Sequence, residues 1–410
     1  MSWPPGESMQ PKSNIMKALI FSTLVLATSF SVNAELIQHS EQIGEIKFTG
    51  STYELGQHVG EVASEQILAG MQRFDTTLGV MLPGLSLSKL EQSFTDNKVF
   101  SKLKLASPDA AQYIAGLSAS LDISPNRILA VGMSDEAILE SQRSGGMGFL
   151  QAEGHQPAAP AKCTSFAVKA KGGKAWAASN FDYMGINYQG LLMLNHTDTD
   201  GGHRIIQTWA GLIPYGGVSK GGQVFLMNTM ADEGTARQNA KGEILSETAV
   251  PSYYLSWDVY NTKTTAEVVK LFKKYPEYTA FFTYTVAGEG QVLNIENNYG
   301  GHVNFSYGDW QAHANHSLYQ PKPEIVNASF AAKSVARQDA AENFMKKEAT
   351  TASKADVQNF MGHSVLWKGR GELMGTVTST FYEIDNGKVT LYFQTDHAGE
   401  NEKTVVITYG

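Results

Sequence analysis

The stretch AKCTSFAVKAKGGKAWAASNFDY, residues 161–183, carries the only cysteine of the 410-residue chain. After Cys163 the residues are β-prone: Thr, Ser, Phe, Ala, Val. Lys171-Gly172-Gly173-Lys174 is a hairpin signal, and AWAASNFDY reads as the return strand. The stretch is therefore two antiparallel strands, with a thiol at the head of the first and Asn180-Phe181-Asp182 near the end of the second. Upstream, RSGGMGFLQAEGHQPAAPAK (143–162) is rich in Gly, Ala and Pro and has no sustained period. It reads as an exposed loop.

That loop divides the chain. Before it the pattern is mostly helical. Glu45-Ile46-Lys47-Phe48 reads as a short first strand. Ser51 and Glu54 form a capping box, opening a long amphipathic helix through Ile67 and Met71. Residues 108–143 are helical in pattern, with Ser124-Pro125 as N-cap and N1. After the loop, strands dominate, ending in the hairpin TVTSTFYEIDNGKVTLYFQTD, which turns at Asp385-Asn386-Gly387. A short helix is expected from Thr265 to near Tyr275-Pro276, and helices over 327–347 and 353–363. Helices and strands in blocks favour an α+β fold over a doubly wound one.

The bulk properties exclude some functions. Charged residues are 18% of the chain and the net charge is -8, against a nucleic-acid binder, which needs a basic face. The N-terminus reads as a secretory signal peptide, residues 1–34. Lys12 and Lys17 flank the start of the apolar run ALIFSTLVLATSFS, which closes on Val32-Asn33-Ala34. The run is shorter than the ~20 residues that span a bilayer, so no stable membrane anchor is expected and the protein is expected to be exported, periplasmic or secreted. The ten histidines are scattered. No metal motif, phosphate loop or dinucleotide fingerprint occurs, and no cofactor or metal is expected.

In an oxidising compartment paired cysteines become disulfides. A single cysteine is an inert buried thiol, an intermolecular bridge or a nucleophile. A papain-type nucleophile sits at a helix N-terminus, which the β-prone residues after Cys163 do not form. A thiol at the head of a strand behind a loop can instead become a new N-terminal residue. Its freed α-amino group, of reference pKa ~7.7–8.0, then serves as general base.

Several segments, in order, carry a resemblance. GSTYELGQHVG (50–60), KCTSFAV, SNFDY, YGGVSKGGQVFLMNTM (215–230), HANHSL (313–318) and TVTSTFYEID (376–385) together resemble peptidase family C45, the acyl-CoA:6-aminopenicillanic acid acyltransferase-like group of N-terminal-nucleophile (Ntn) hydrolases. The resemblance spans roughly residues 45–395. It implies a four-layer αββα sandwich with antiparallel sheets, made by self-cleavage at Lys162–Cys163 into chains 35–162 and 163–410. It also implies amide chemistry through a Cys163 thioester.

By the same resemblance Asp182 faces the nucleophile and holds its α-amino group, and Asn315 is the oxyanion donor. Asn180 is a turn residue or a donor. Thr378 and Ser379 support the site or pack. His316 is structural in an Ntn mechanism and would be the base in a Cys–His one. Tyr183 and Trp209 line a pocket or fill the core. Two departures stand out: TVTSTF has no adjacent Arg, and Val218-Ser219 replaces an Asn after the glycines. Penicillin acyltransfer is therefore not expected. The expected substrate is a small-molecule N-acyl amine, N-acyl amino acid or peptide-like amide. The alternatives are a Cys–His hydrolase that never cuts itself, and a non-enzymatic exported binding protein.

Overall fold

In a computed structural model the described residues are Met1, 35–134, 163–170, 174–230, 249–250, 252–275, 277–278, 282–288, 290–297, 303–319, 328–369, 374–395 and 404–410. The elements below belong to the unit Asn33–Gly410. The apolar run expected to be a signal peptide, the 143–162 stretch expected to be a loop, with Lys162, and the expected turn at Lys171-Gly172-Gly173 lie outside the described residues.

Among the described residues the chain begins with strands β1 (Glu35–Gln38) and β2 (Ile43–Thr49). Six helices follow: α1 (Thr52–Val62), α2 (Ser64–Met81), α3 (Leu87–Asp96), α4 (Val99–Ala106), α5 (Pro108–Leu121) and α6 (Pro125–Gly132). Then come β3 (Thr164–Lys169), β4 (Ala175–Met184), β5 (Leu191–Thr197), β6 (His203–Trp209), β7 (Ile213–Val218) and β8 (Val224–Thr229). Short β9 (Ala249–Val250) and β10 (Glu277–Tyr278) pair in parallel, with helices α7 (Ser252–Val259) and α8 (Thr265–Lys274) between them. The last elements are β11 (Phe282–Gly288), β12 (Gln291–Asn297), β13 (Val303–Gly308), β14 (Trp310–His313), α9 (Ala328–Glu348), α10 (Lys354–Met361), β15 (Met374–Asp385), β16 (Lys388–Gln394) and β17 (Val405–Tyr409).

A large sheet runs β1-β2-β5-β6-β7-β8-β11-β12-β13 and a smaller one β14-β3-β4-β15-β16-β17. The sheets face each other, α1, α6 and α7 pack on the large sheet, and α9 and α10 pack on the small one. The layering is αββα. One core runs from Leu55, Phe74 and Leu117 through Ile206 and Leu226 to Ala177 and Leu391. A second, with Phe166, Trp176, Phe381, Met345 and Val357, fills the space between the small sheet and the C-terminal helices.

Among the described residues the large and small sheets are antiparallel, as expected, apart from one parallel pair. In the large sheet β2 pairs with β5 in parallel, Ile43 opposite Leu191 through Thr49 opposite Thr197. Glu45–Phe48 also proves to be the second strand, paired with β1. The expected long helix after Ser51 is two helices, broken at Ala63 (φ −118°, ψ 16°).

Local signals act as read. Ser51 and Glu54 close a reciprocal capping box, and Ser124 caps α6 with Pro125 at its first turn. In the β15–β16 turn, Asn386 (φ 51°) and Gly387 (φ 77°) both take the left-handed region, which a two-residue hairpin turn requires.

Helices α1 and α5 cross at two glycines. A Cβ on Gly56 would overlap the Tyr113 carbonyl oxygen, and one on Gly116 the Tyr53 carbonyl oxygen. Both obstacles are backbone, which moves less readily than side-chain tips. Gly116→Ala is expected to cost about 1–3 kcal/mol through overpacking, read as a lower denaturant midpoint. An unchanged midpoint would mean that the helices part freely.

Below this crossing lies a polar knot. Asp109 accepts from Thr52 (2.5 Å), Arg204 Nη1 (2.9 Å), Trp257 Nε1 (2.8 Å) and Asn261 Nδ2 (2.9 Å), tying α1, α5, β6 and α7 together. Burial, reinforced by Arg204, lowers His196 to about 4. Next to the knot, burial and the nearby Asp109 carboxylate raise Asp258 to about 6, against the Ser107 and Tyr275 hydroxyls and Lys274.

The two groups oppose each other in pH. His196 is depressed, so its stabilisation is present above 6.5 and is lost as pH falls through about 4. Asp258 is raised, so its stabilisation is present below 3.8 and is lost as pH rises through about 6. Removing the Asp258 carboxyl with Asp258→Asn should steepen the rise of Tm between pH 4 and 6. Thermal melts across that window check it; a slope equal to wild type would refute the assignment.

Candidate active site

Cys163 immediately precedes β3, and Thr164 pairs with Asn180 of β4. The nucleophile candidate therefore stands level with Phe181, one residue from Asp182. Alternation along β3 places Phe166 and Val168 under the C-terminal helices, and Cys163 and Ala167 in the core between the sheets. The thiol is buried, and its Sγ donates to the Asp182 carbonyl at 3.6 Å.

Four elements converge here. Asn315 follows β14, which is the antiparallel neighbour of β3. One Asn315 Nδ2 hydrogen goes to the Thr229 carbonyl (2.6 Å) at the end of β8. Its backbone N–H goes to Ser334 Oγ (2.9 Å), and the Ala314 N–H goes to Gln338 Oε1 (2.8 Å). Ser334 and Gln338 are one turn apart on α9, so a single helix face holds the 314–315 segment.

Arg337 lies on that same face and is the residue that sequence reasoning missed. Its guanidinium is buried and donates to the Cys163 carbonyl through Nη1, to Thr164 Oγ1 (2.8 Å) and to Asn315 Oδ1 (2.8 Å). Burial pulls its pKa down, while Asp182 and Cys163 hold it up. The site thus has an arginine, supplied by a helix over the small sheet rather than by the TVTSTF strand. A signal existed: Ser334, Arg337, Gln338, Ala341 and Met345 fall at helical spacing and are all buried, so Arg337 puts a charge on an otherwise uncharged inward stripe.

The other candidates are placed as follows. Asp182 lies within β4, and its Oδ1 accepts from Thr376 Oγ1 at 2.7 Å. Asn180 is a mid-strand residue rather than a turn residue. It donates to the carbonyls of Met361 (2.9 Å) and Leu366 (3.4 Å) and accepts from Ser379 Oγ. Thr378 is turned to the Gln394 carbonyl of β16. His316 bonds Ser334 Oγ through Nδ1 (2.8 Å). Burial, with His313 and Arg337 nearby, lowers it to about 4, which makes a weak base. Tyr183 contacts Ser134 Oγ, and Trp209 is a core residue donating to the Gln189 carbonyl. The 162–163 bond cannot be placed, because Lys162 is outside the described residues.

Behind the site the space between the sheets is polar. Asn228 Nδ2 donates to Ser165 Oγ (3.0 Å) and to the carbonyls of His313 (2.9 Å) and Ala314 (3.2 Å). It links the strand that follows Cys163 to the turn that presents Asn315. Glu296 is pushed up by burial, but donors on His313, Leu318 and Ser317 outweigh that and hold it low. These contacts anchor the 313–318 segment from its far side.

Among the described residues no group of three His, Cys, Asp or Glu side chains is placed to hold a metal ion. None of their helices is long and apolar enough to cross a membrane. No family model matches the sequence, and no curated protein matches it. Solved structures similar to this chain include an N-acylethanolamine-hydrolyzing acid amidase ortholog from Caenorhabditis elegans. It shares 15% identity over 53% of this chain and 92% of that one, with a TM-score of 0.40. Another is penicillin V acylase from Agrobacterium tumefaciens, at 13% identity over 60% and 85%, with a TM-score of 0.37.

Proposed function

We propose that the chain is an exported, self-processing Ntn amidohydrolase or acyltransferase with Cys163 as nucleophile. The observation that carries this reading is the placement of Cys163. The thiol heads a strand, is paired beside Asp182, and sits where Arg337 and Asn315 converge.

In this reading the chain is cut between Lys162 and Cys163, and the freed α-amino group accepts the thiol proton. Asp182 holds that amine. Sγ attacks the amide carbonyl carbon, and the second Asn315 Nδ2 hydrogen donates to the developing oxyanion. The C–N bond breaks, and the amine leaves with the proton. Water attacks the thioester to release a carboxylic acid and restore the thiol; an acceptor amine in its place gives a new amide. The substrate class is a small N-acyl amine, N-acyl amino acid or peptide-like amide. Residues 1–34 serve as the export signal.

The test is the mass and N-terminal sequence of the purified mature protein. The expected fragments begin at Glu35 and Cys163. An intact chain that turns over amides would sink the self-processing reading.

A further inference from the structure

In a regular strand, side chains three residues apart point to opposite faces. Thr376 and Ser379 are three apart on β15, yet both bond side chains of the same β4 face. Thr376 Oγ1 reaches Asp182 and Ser379 Oγ reaches Asn180, which are two apart. The register explains this. Thr376 is opposite Asp182, Thr378 opposite Phe181 and Ser379 opposite Asn180, so Val377 is an extra residue in β15. It is a β-bulge, a device that re-aims side chains. Val377 itself is buried in the core between the sheets.

The Thr376 hydroxyl has a fixed polarity. The Lys368 N–H donates to its oxygen at 3.0 Å. A backbone N–H can only donate, so the hydroxyl accepts there and its single proton goes to Asp182 Oδ1. The Thr376 N–H closes the pair on the Lys368 carbonyl at 3.2 Å. Both Thr376 and Asp182 are buried, so water does not compete for the bond.

We propose that the Val377 bulge makes Thr376 the positioning residue of Asp182. Its oriented hydroxyl fixes the rotation of that carboxylate beside Cys163. The inference rests on the Ntn reading, in which Asp182 holds the α-amino group of Cys163. It deepens that reading by naming what holds Asp182.

The test uses full-length processed protein and a set of N-acyl p-nitroanilides as probes. Thr376→Val keeps the branched shape and removes the hydroxyl. Its kcat is expected to fall about 10- to 100-fold, the scale of a misplaced catalytic group. KM should stay within about twofold, because ground-state binding is untouched. Thr376→Ser, which keeps the hydroxyl, should restore kcat. If Thr376→Val is not recovered folded, Thr376→Ala against Thr376→Ser gives the same contrast. Wild-type kcat in the hydroxyl-free variant, or a Ser variant as slow as it, overturns the inference alone. A wild type that keeps the 162–163 bond overturns the Ntn reading and the inference with it.

Discussion

Cys163→Ala is expected to give an uncut chain that cannot turn over amides. The substitution removes one sulfur atom, whose described bond is a 3.6 Å contact to the Asp182 carbonyl. Little of the fold depends on it, and Tm should stay near wild type. The chemistry depends on it wholly, since no other cysteine exists in the chain. Loss of a nucleophile that acts as one unit with its base lowers turnover by about 10⁴-fold or more. A denaturing gel and an amide assay read both effects on one sample. A variant that is still cut and still active would remove Cys163 from the mechanism. If the chain stays whole in wild type and His316→Ala abolishes turnover, a Cys–His hydrolase is the better reading. A Cys163 thiol in the folded protein that alkylates no faster than a free thiol, with no turnover, points to a binding protein.

Removing Arg337 is expected to have the largest effect on stability. Its guanidinium serves the Cys163 carbonyl, Thr164 Oγ1 and Asn315 Oδ1 at once, with the Asp182 charge close by. Arg337→Met fills much of the volume but leaves those acceptors and a buried carboxylate without their cation. Leaving a buried acceptor unsatisfied costs about 1–3 kcal/mol, and three acceptors lose their donor here. Self-cleavage should fail in parallel, because the same fork spans the nucleophile backbone and Asn315. Lysine should not rescue it: an ammonium is a point charge and cannot reproduce a planar fork. Urea unfolding midpoints of wild type, Arg337→Met and Arg337→Lys decide this, and a Lys variant equal to wild type would refute it.

What the sequence made legible is what local physics controls. Ser51, Ser124 and the Asn386-Gly387 turn act through bonds or dihedrals within a few residues, so their roles can be read directly. Cys163 also stood out, as a lone thiol before a β-prone run, while Asp182 was marked by the family resemblance. The missed features depend on partners far away in sequence. The parallel β2–β5 pair joins segments separated by the six described N-terminal helices. The break at Ala63 falls on neither a glycine nor a proline, and Gly60 lies three residues before it, inside α1. Arg337 reads as an ordinary helical arginine until packing turns its face inward. The odd spacing of Thr376 and Ser379 hid their shared direction, because one extra residue cannot be seen without the partner strand.

The parallel pair has a consequence for the molecularity of folding. Strands β1 and β2 lie before residue 162, yet β2 is hydrogen-bonded within the large sheet to β5, which lies after it. Severing the 162–163 bond would therefore leave two polypeptides sharing one sheet, with Ile43 and Ile46 of the shorter one buried in the common core. Unfolding of the cut protein would release two separate chains, and its return would be a bimolecular encounter whose rate rises with concentration. Refolding of an uncut Cys163→Ala chain would be first order. The same protein would thus fold easily once, before it matures, and recover only slowly afterwards at high dilution.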